Sequence, residues 1–192
     1  LKKLSCKQGR LDSLWKRESK HIVYYTRKVR YFVQFFDFIP EIRDSRGKLI
    51  APSELKTIAL SNSTERDLVI AVLNSNFFFW FFNTYSDVRN VNRREIDFFP
   101  CSILKFNNDV KVSTQRIVKQ LMKDFRANAK IVTNNYAKHG TLSIQTFQPR
   151  FSKPIIDEID CVLGKHYGLT DEELDFIINY DIKYRMGNVD DE

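Results

Sequence analysis

Extended segments are predicted for the first part of the chain. Residues 21–39 are rich in Tyr, Val, Ile and Phe, which favour β-strands, and their side chains alternate between two faces. We expect two strands here, joined by a tight turn near residues 27–28 and ended by Pro40. After a charged turn at residues 44–48, the sequence predicts a further strand over Leu55–Leu60.

A largely apolar helix is predicted next, over residues 64–84. Asn62 followed by Glu65 fits a capping box and marks its start. The side chains of residues 74–76, Asn-Ser-Asn, compete for backbone hydrogen bonds, so we expect them to break or cap this helix. Residues 86–100 are polar and rich in Arg and Asn, which indicates a loop.

A second long helix is predicted over residues 113–138. Its apolar positions recur near helical spacing, at Ile117, Leu121, Phe125, Val132 and Tyr136. Gly140 is a suitable end for this helix, because glycine tolerates the backbone conformation found just after helices. Residues 141–147 then alternate as a short strand.

Two further helices are predicted towards the end of the chain. Pro154 opens the first, which Gly168 ends, and a capping box from Thr170 to Glu173 opens the second, which extends through Ile182. Together, these elements predict an α+β fold. A small, mainly antiparallel sheet packs against several helices, and a C-terminal helical segment folds back on them.

Length and composition indicate one folded domain with an added helical segment. The chain has 192 residues, of which 43% are hydrophobic, so it can bury enough apolar surface to offset its conformational entropy. The chain begins at Leu1 rather than Met, so we expect residues 1–20 to lead in from a missing upstream domain. Residues 21–150 are then the main domain, and residues 151–192 a C-terminal helical segment with an acidic tail.

No part of the sequence is typical of a membrane span or an export signal. The apolar run of residues 68–82 contains three polar residues and is shorter than the ~20 residues that cross a bilayer. The basic N-terminus lacks the apolar core of a signal peptide. The cysteines, Cys6, Cys101 and Cys161, lie far apart, without the spacing of metal ligands. These features predict a cytoplasmic protein with no membrane partner.

Charge is unevenly distributed along the chain, whose formal net charge is +7. Residues 1–60 carry 14 basic and 6 acidic side chains, and residues 106–155 carry 9 and 2. Residues 61–105 carry 5 of each, whereas residues 156–192 carry 3 basic and 11 acidic side chains. Two basic segments of this kind favour a polyanionic partner, with nucleic acid as the first candidate. A solvated basic surface without a partner is the alternative.

Catalytic motifs are absent from the sequence. It contains no glycine-rich phosphate loop, no GxSxG and no HExxH, and its three histidines lie far apart. Glu95 and Asp97 lie two residues apart, but no lysine follows at the spacing of a nuclease site. We therefore predict no catalytic residue, metal site or cofactor within this chain.

The candidate binding residues combine basic, aromatic and amide side chains. In the major groove Arg is matched to guanine and Asn to adenine, while Lys and Tyr can hold phosphates. One group lies around the first predicted turn, one in the polar loop, and one forms a basic stripe on the predicted helix of residues 113–138. The candidates are Tyr25, Arg27, Lys28, Arg30 and Tyr31, then Arg89, Asn90 and Arg93, and finally Lys119, Lys123 and Arg126.

These groups also have structural interpretations. The tyrosines fit half-buried positions in a sheet, the Arg–Asn loop fits helix capping, and the basic stripe fits a solvated helix face. Two other functions are also consistent with the sequence. One is a protein-interaction domain that docks through its apolar helix and acidic tail. The other is an RNA-binding module that stacks bases on Tyr24, Tyr25 and Tyr31.

Three segments resemble one family of DNA-modifying enzymes. They are VYYTRKVRYF at residues 23–32, LVIAVLNSNFFFWFFNTYSDVRNVNRREIDFFP at residues 68–100, and IDEIDCVLGKHYGLTDEELDFIINYDIKYRMG at residues 156–187. Together they resemble the C-terminal target-recognition domain, of the TaqI-like specificity type, of adenine-specific DNA methyltransferases and fused Type IIG restriction–methylation enzymes. The last of the three segments is the most specific match.

The resemblance implies a division of labour within a larger parent protein. An upstream catalytic domain binds S-adenosylmethionine and methylates adenine that has been flipped out of duplex DNA. This chain has no Pro-Pro, as in the Asn-Pro-Pro-Tyr type of active site, and no cofactor loop, so those roles do not carry over. The recognition of double-stranded DNA does carry over, onto the Tyr-Arg strands and the loop of residues 86–90. The upstream methyltransferase domain is the implied protein partner.

Overall fold

The structure, a computed structural model, describes residues 9–29, 31–101 and 103–187. Arg30 and Cys6 therefore lie outside the described residues. The first six elements are β1 (His21–Thr26), β2 (Phe35–Phe36), β3 (Ile42–Arg43), β4 (Leu55–Leu60), α1 (Ser63–Asn74) and α2 (Asn76–Tyr85). They are followed by α3 (Arg93–Phe98), α4 (Asn108–Ala127), β5 (Lys130–Tyr136), β6 (Gly140–Thr146), α5 (Lys153–Tyr167), α6 (Asp171–Ile178) and α7 (Ile182–Met186). Short 3₁₀ turns occur at Leu11–Leu14, Ile103–Lys105 and Pro149–Ser152.

The predicted α+β class is confirmed, but the strands form two sheets rather than one. The first sheet has the order β2-β1-β4 and the second has the order β3-β6-β5, with antiparallel neighbours in both. The strand predicted over Leu55–Leu60 is β4, and it pairs with the whole of β1. In the second sheet, β6 confirms the strand predicted over residues 141–147, whereas β5 lies where the sequence predicted helix.

One apolar core joins the first sheet to the helices. It extends from Leu11 to Ile177 along the chain and contains many aromatic rings, including Phe35 and Phe36 of β2. Helix α4 contributes Phe125, whose ring centre lies 5.6 Å from that of Phe36. Because α5 and α6 add residues to the same core, the C-terminal helices pack on the body of the domain.

The predicted break in the apolar helix is confirmed at residues 74–76. Asn74 ends α1, and Ser75 caps α2 by accepting a hydrogen bond from the backbone N–H of Phe78 at 3.2 Å. No single helix in the described ranges is long and apolar enough to span a membrane. Helices α1 and α2 pass that test only when taken together, and they are bent by 58° at the break.

The prediction of one helix over residues 113–138 is wrong. Helix α4 begins earlier, at Asn108, and ends at Ala127, and residues 130–136 form β5 instead. Val132 and Tyr136 are four residues apart, which places them on one face of a strand as well as of a helix. The spacing therefore did not distinguish the two structures. The β-branched residues Ile131, Val132 and Thr133 favour a strand, and Gly140, at φ 67°, follows the turn of residues 137–139 and begins β6.

Three other boundaries also differ from the predictions. Residues 27–34, rather than a tight turn, separate β1 from β2, because Lys28 leaves the sheet to pair with Asn90. The predicted loop of residues 86–100 contains α3, which a capping box between Asn92 and Glu95 starts. The fourth predicted helix ends at Ile178, and α7 follows as a separate turn.

Candidate nucleic-acid interface

The loop after α2 is held in an outward turn by its own side chains. The Oγ of Ser86 accepts a hydrogen bond from the N–H of Val88 at 3.0 Å, and the Oδ1 of Asp87 accepts one from the N–H of Arg89 at 3.1 Å. Val88 has φ 59°, a strained conformation for a β-branched residue. The strained residue directly precedes Arg89, whose side chain is exposed.

This loop pairs with the segment that leaves β1. The N–H of Val91 donates to the carbonyl oxygen of Arg27 at 2.8 Å, and Lys28 forms an antiparallel bridge with Asn90. The Nη2 of Arg27 also donates to the Oδ1 of Asn92 at 2.8 Å. The structure thus brings together two groups of candidate residues that lie far apart in the sequence.

A first cleft of about 420 Å³ lies along this junction. It is lined by Thr26, Arg27, Lys28, Glu54 and Asn90. The Nε of Arg27 is buried and has no hydrogen-bond partner among the described residues. Because a buried N–H group is almost always paired in a folded protein, this donor is consistent with an acceptor that arrives with a ligand.

A second cleft, of about 440 Å³, adjoins the first through Lys28. It is lined by Lys28, Tyr31, Phe32, Gln34, Phe147, Gln148, Pro149, Arg150 and Arg185. These lining residues include three cations and no carboxylate. The Oε1 of Gln148 is buried and has no partner within the described ranges. The cleft therefore combines positive charge with amide and aromatic groups, the side chains that bind phosphates and bases.

The predicted site residues did not include four polar residues of this cleft: Gln34, Gln148, Arg150 and Arg185. A signal for part of this surface was present, because residues 125–156 contain no Asp or Glu while they carry Arg126, Lys130, Lys138, Arg150 and Lys153. One lining residue, Arg185, comes from α7 in the acidic tail. Because most charged residues of that tail are acidic, the sequence around Arg185 did not indicate a basic site.

Arg185 lines the second cleft and is only 3% exposed. Its Cζ lies 4.3 Å from the ring centre of Phe32 and 4.2 Å from that of Phe79. Its Nε donates to the carbonyl oxygen of Tyr31 at 3.0 Å, and its Nη1 donates to the Oδ1 of Asn76 at 2.6 Å. Burial lowers the pKa of Arg185 to about 10, so the guanidinium is charged at neutral pH. Arg185 thus positions the segment that carries Tyr31.

Asp160 completes the buried polar network behind Arg185. It lies on α5, is fully buried, and caps the start of α2. Its carboxylate accepts hydrogen bonds from the backbone N–H of Asn76 at 3.2 Å, from the Nδ2 of Asn76 at 2.6 Å, and from the N–H of Phe77 at 3.3 Å. Two of the N–H groups that a helix start leaves unpaired are satisfied in this way.

We expect Asp160 to make the stability of the protein depend on pH. Burial raises its pKa to about 7, the N–H donors of Asn76 and Phe77 oppose that rise, and the charge of Asp157 adds to it. Arg185 on α7 also faces this carboxyl, and Lys153 pairs with Asp157. Because the pKa is raised by folding, the stabilisation is complete below about pH 4 and is lost as the pH rises through about 7.

The measurement compares native protein with Asp160→Asn, which does not titrate at this position. Urea unfolding at several pH values between about 4 and 8 gives the two free energies of unfolding. We expect the advantage of the native protein over the variant to decrease across this range. An advantage that stays constant with pH would contradict the assignment.

The aromatic candidates separate into a core residue and a surface residue. Tyr25 is 4% exposed, and its ring stacks on Phe35 with the ring centres 5.0 Å apart. It therefore belongs to the core, and we leave it out of the proposed interface. Tyr31 is 54% exposed and lines the second cleft. Arg30 lies between them in the chain, outside the described residues.

Arg93 and Arg126 are both held by contacts within the protein. The Nε of Arg93 pairs with Asp97 at 3.0 Å, and its guanidinium lies over the ring of Trp15 at 4.8 Å. Arg126 pairs with Asp37 at 3.0 Å and lies over the ring of Phe38 at 3.9 Å. Both guanidinium groups are therefore already engaged by a carboxylate and an aromatic ring of the protein.

The predicted basic stripe of Lys119, Lys123 and Arg126 lies on one helix, α4. Lys119 and Lys123 are exposed on α4, about two turns and one turn before Arg126. Lys130, which the prediction placed on the same helix, begins β5. The described residues include no group of His, Cys, Asp and Glu side chains that could hold a metal ion.

Comparisons with known proteins do not identify a family for this chain. No family model, no curated protein and no solved structure matches the chain. The resemblance to target-recognition domains therefore stays a prediction.

Proposed function

We propose that this chain is the sequence-specific, double-stranded-DNA recognition domain of a bacterial restriction–modification adenine methyltransferase, or of its fused methyltransferase–endonuclease form. One observation supports this most: Arg27 and Lys28 pair with Val91 and Asn90, next to the exposed Arg89, and Lys28 also lines the second cleft, whose lining residues include no carboxylate. The partners are duplex DNA and an upstream methyltransferase domain of the same parent protein, which binds S-adenosylmethionine. The location is the cytoplasm.

The residues of the junction divide into two kinds of contact. Arg89 is exposed on a strained loop and has the donor geometry for guanine, while the amide of Asn90 is matched to adenine. Lys28 lines both clefts and suits a phosphate that passes between them. Lys119 and Lys123 add charge along α4, which strengthens binding to any sequence.

The test is the salt dependence of duplex binding by the intact chain, measured by fluorescence anisotropy. We expect affinity for a random-sequence duplex to fall steeply as salt rises, because bound cations release counterions from DNA. Lys28→Ala should weaken binding to all sequences alike and reduce the slope of log K against log salt by about 1.

Lys165→Ala is the matched control, since Lys165 is exposed on α5 and lines neither of the two clefts. It should leave the slope close to that of the native chain. Equal slopes for native, Lys28→Ala and Lys165→Ala proteins would remove Lys28 from the interface. A native chain that binds no duplex even at low salt would contradict the proposed function.

The protein-interaction alternative has one observation in its favour. Phe98 is 58% exposed and lines a groove of about 430 Å³ with Phe81, Tyr85, Arg94 and Glu95. A mass well above that of a monomer in light scattering, without salt-dependent DNA binding, would support it. The RNA alternative is weaker, because Tyr25 is in the core and Tyr24 is half-buried, which leaves Tyr31 to stack a base.

A further inference from the structure

The β5–β6 hairpin projects from the domain. Every residue of β5 is exposed, and the turn of residues 137–139 is exposed as well. Strand β3 covers only its base, where Ile42 and Arg43 pair with Ile144 and Ser143. Beyond that point, residues 134–142 form a two-stranded ribbon.

The dimensions of this ribbon match the major groove of duplex DNA. Its three residue pairs beyond β3 extend for on the order of 10 Å, and its two strands lie about 4.8 Å apart. The major groove is about 12 Å wide and 8.5 Å deep and admits a two-stranded β-ribbon. A third strand along the whole hairpin would make it too wide, and β3 stops short of that part.

The two faces of the hairpin differ in chemistry. Thr133 is opposite Ser143, and Asn135 is opposite Thr141, so one face carries uncharged hydrogen-bonding side chains beyond Ile131 at its base. The other face is mixed, because Val132 is opposite Ile144 whereas Leu142 is opposite Asn134. The hydroxyls of Thr133 and Ser143 lie 3.2 Å apart, which leaves Asn135 and Thr141 as the outermost polar pair.

The charge around the hairpin also favours a polyanion. Lys130 is at its base and Lys138 at its tip, within a run of residues, 125–156, that contains no Asp or Glu. Asp44, the residue after β3, accepts hydrogen bonds from the backbone N–H groups of Arg46 and Lys48. Two further carboxylates near the base, Glu41 and Asp37, are paired with Arg43 and Arg126 at 2.7 and 3.0 Å. Their negative charge is therefore compensated locally.

The base of the hairpin is fixed to the second cleft. Phe147, the residue after β6, packs on Phe36 with ring centres 4.7 Å apart and on Phe38 at 5.8 Å. Phe147 and Gln148 also line the cleft with Lys28. A duplex that lies against the basic clefts is therefore next to the hairpin.

We propose that the β5–β6 hairpin inserts into the major groove of duplex DNA and contributes to reading its sequence. Asn135 and Thr141 face base edges, where an Asn amide is matched to adenine. Lys138 at the tip contacts a phosphate. This inference rests on the proposed function, because it specifies one element by which the domain recognises its DNA.

The test uses the intact chain, with a site first selected from a pool of random duplexes. In a shortened variant, residues 134–142 are replaced by Asn-Gly, a turn suited to a two-residue hairpin loop. We expect this variant to lose its preference for the selected site while still binding random duplexes, with a slope of log K against log salt that is reduced by about 1 because Lys138 is missing. Guanine N7 in that site should be protected from dimethyl sulfate by the native chain and not by the variant.

Neighbouring asparagines supply a matched pair of point variants. Asn135→Ala removes a group from the polar face and should reduce the preference for the selected site by roughly 5- to 150-fold, the range for one base contact. Asn134→Ala changes the same residue type on the opposite face and should leave the preference unchanged. Both positions are exposed, so near-UV circular dichroism should match the native spectrum.

The outcomes separate the two proposals. If the native chain binds no duplex or selects no site, the proposed function and the hairpin inference both fail. If it selects a site that the shortened variant binds equally well, only the hairpin inference fails. Loss of self-association in the shortened variant, with unchanged site preference, would identify the hairpin as a contact between copies of this chain and would also overturn the inference.

Discussion

Replacing Asp160 with Ala is expected to lower the free energy of unfolding by about 3–5 kcal/mol. The carboxylate is fully buried and accepts hydrogen bonds from two backbone N–H groups and one side-chain amide. Its loss leaves these donors buried without an acceptor, and a buried unpaired polar group costs about 1–3 kcal/mol. It also removes a carboxyl group whose charge, when ionised, raises the pKa of the buried Arg185.

The measurement is urea unfolding at constant pH, followed by circular dichroism. Glu158→Ala is the matched control, since Glu158 is an exposed carboxylate on the same helix whose ion pair with Arg116 is 3.5 Å long. An exposed pair of this kind contributes about 0–1 kcal/mol. If Asp160→Ala cost no more than Glu158→Ala, the polar network would not be a main support of the fold.

Replacing Asn74 with Ala is expected to destabilise the protein by about 2–4 kcal/mol. Asn74 is 3% exposed, and its amide pairs with the outer edge of β2. Its Oδ1 accepts from the N–H of Phe35 at 3.1 Å, and its Nδ2 donates to the carbonyl oxygens of Phe35 and Ile70, each at 2.9 Å. The side chain thus satisfies a strand edge that has no neighbouring strand on that side within the described residues.

Two measurements test this role. Urea unfolding gives the loss of stability, and hydrogen exchange at the Phe35 amide should become faster in Asn74→Ala, because that N–H loses its acceptor. Asn83→Ala is the control, as Asn83 lies on α2 and donates one bond, of 2.8 Å, to the Phe79 carbonyl. Equal effects of the two variants would show that the bonds to β2 add no stability.

Local signals in the sequence predicted the starts and ends of several elements correctly. Asn62 caps α1, Thr170 and Glu173 form the predicted capping box, and Gly168 ends α5 with φ 65°. In each case the interacting groups lie within a few residues of one another. The chain segment alone therefore contains both the donor and the acceptor.

The β5–β6 hairpin was not predictable in the same way. Val132 and Tyr136 satisfy helical and strand periodicity equally, so the choice between the two depended on pairing with β6 and β3. The burial of Tyr25 was not predictable from the sequence either, since a tyrosine in an amphipathic strand suits a solvent-exposed face as well as a core. Its burial depends on the rings that pack against it, among them Phe35.

The sequence by itself determined the α+β class, the helix caps, strand β4 and the excess of positive charge. These follow from composition and from interactions within a few residues. The tertiary structure decided that Lys28 lies beside Asn90, that Arg185 from the acidic tail supports a basic cleft, and that Tyr25 is buried. Each of these depends on contacts between distant segments. Local propensities do not specify such contacts, because they arise only when the whole core packs.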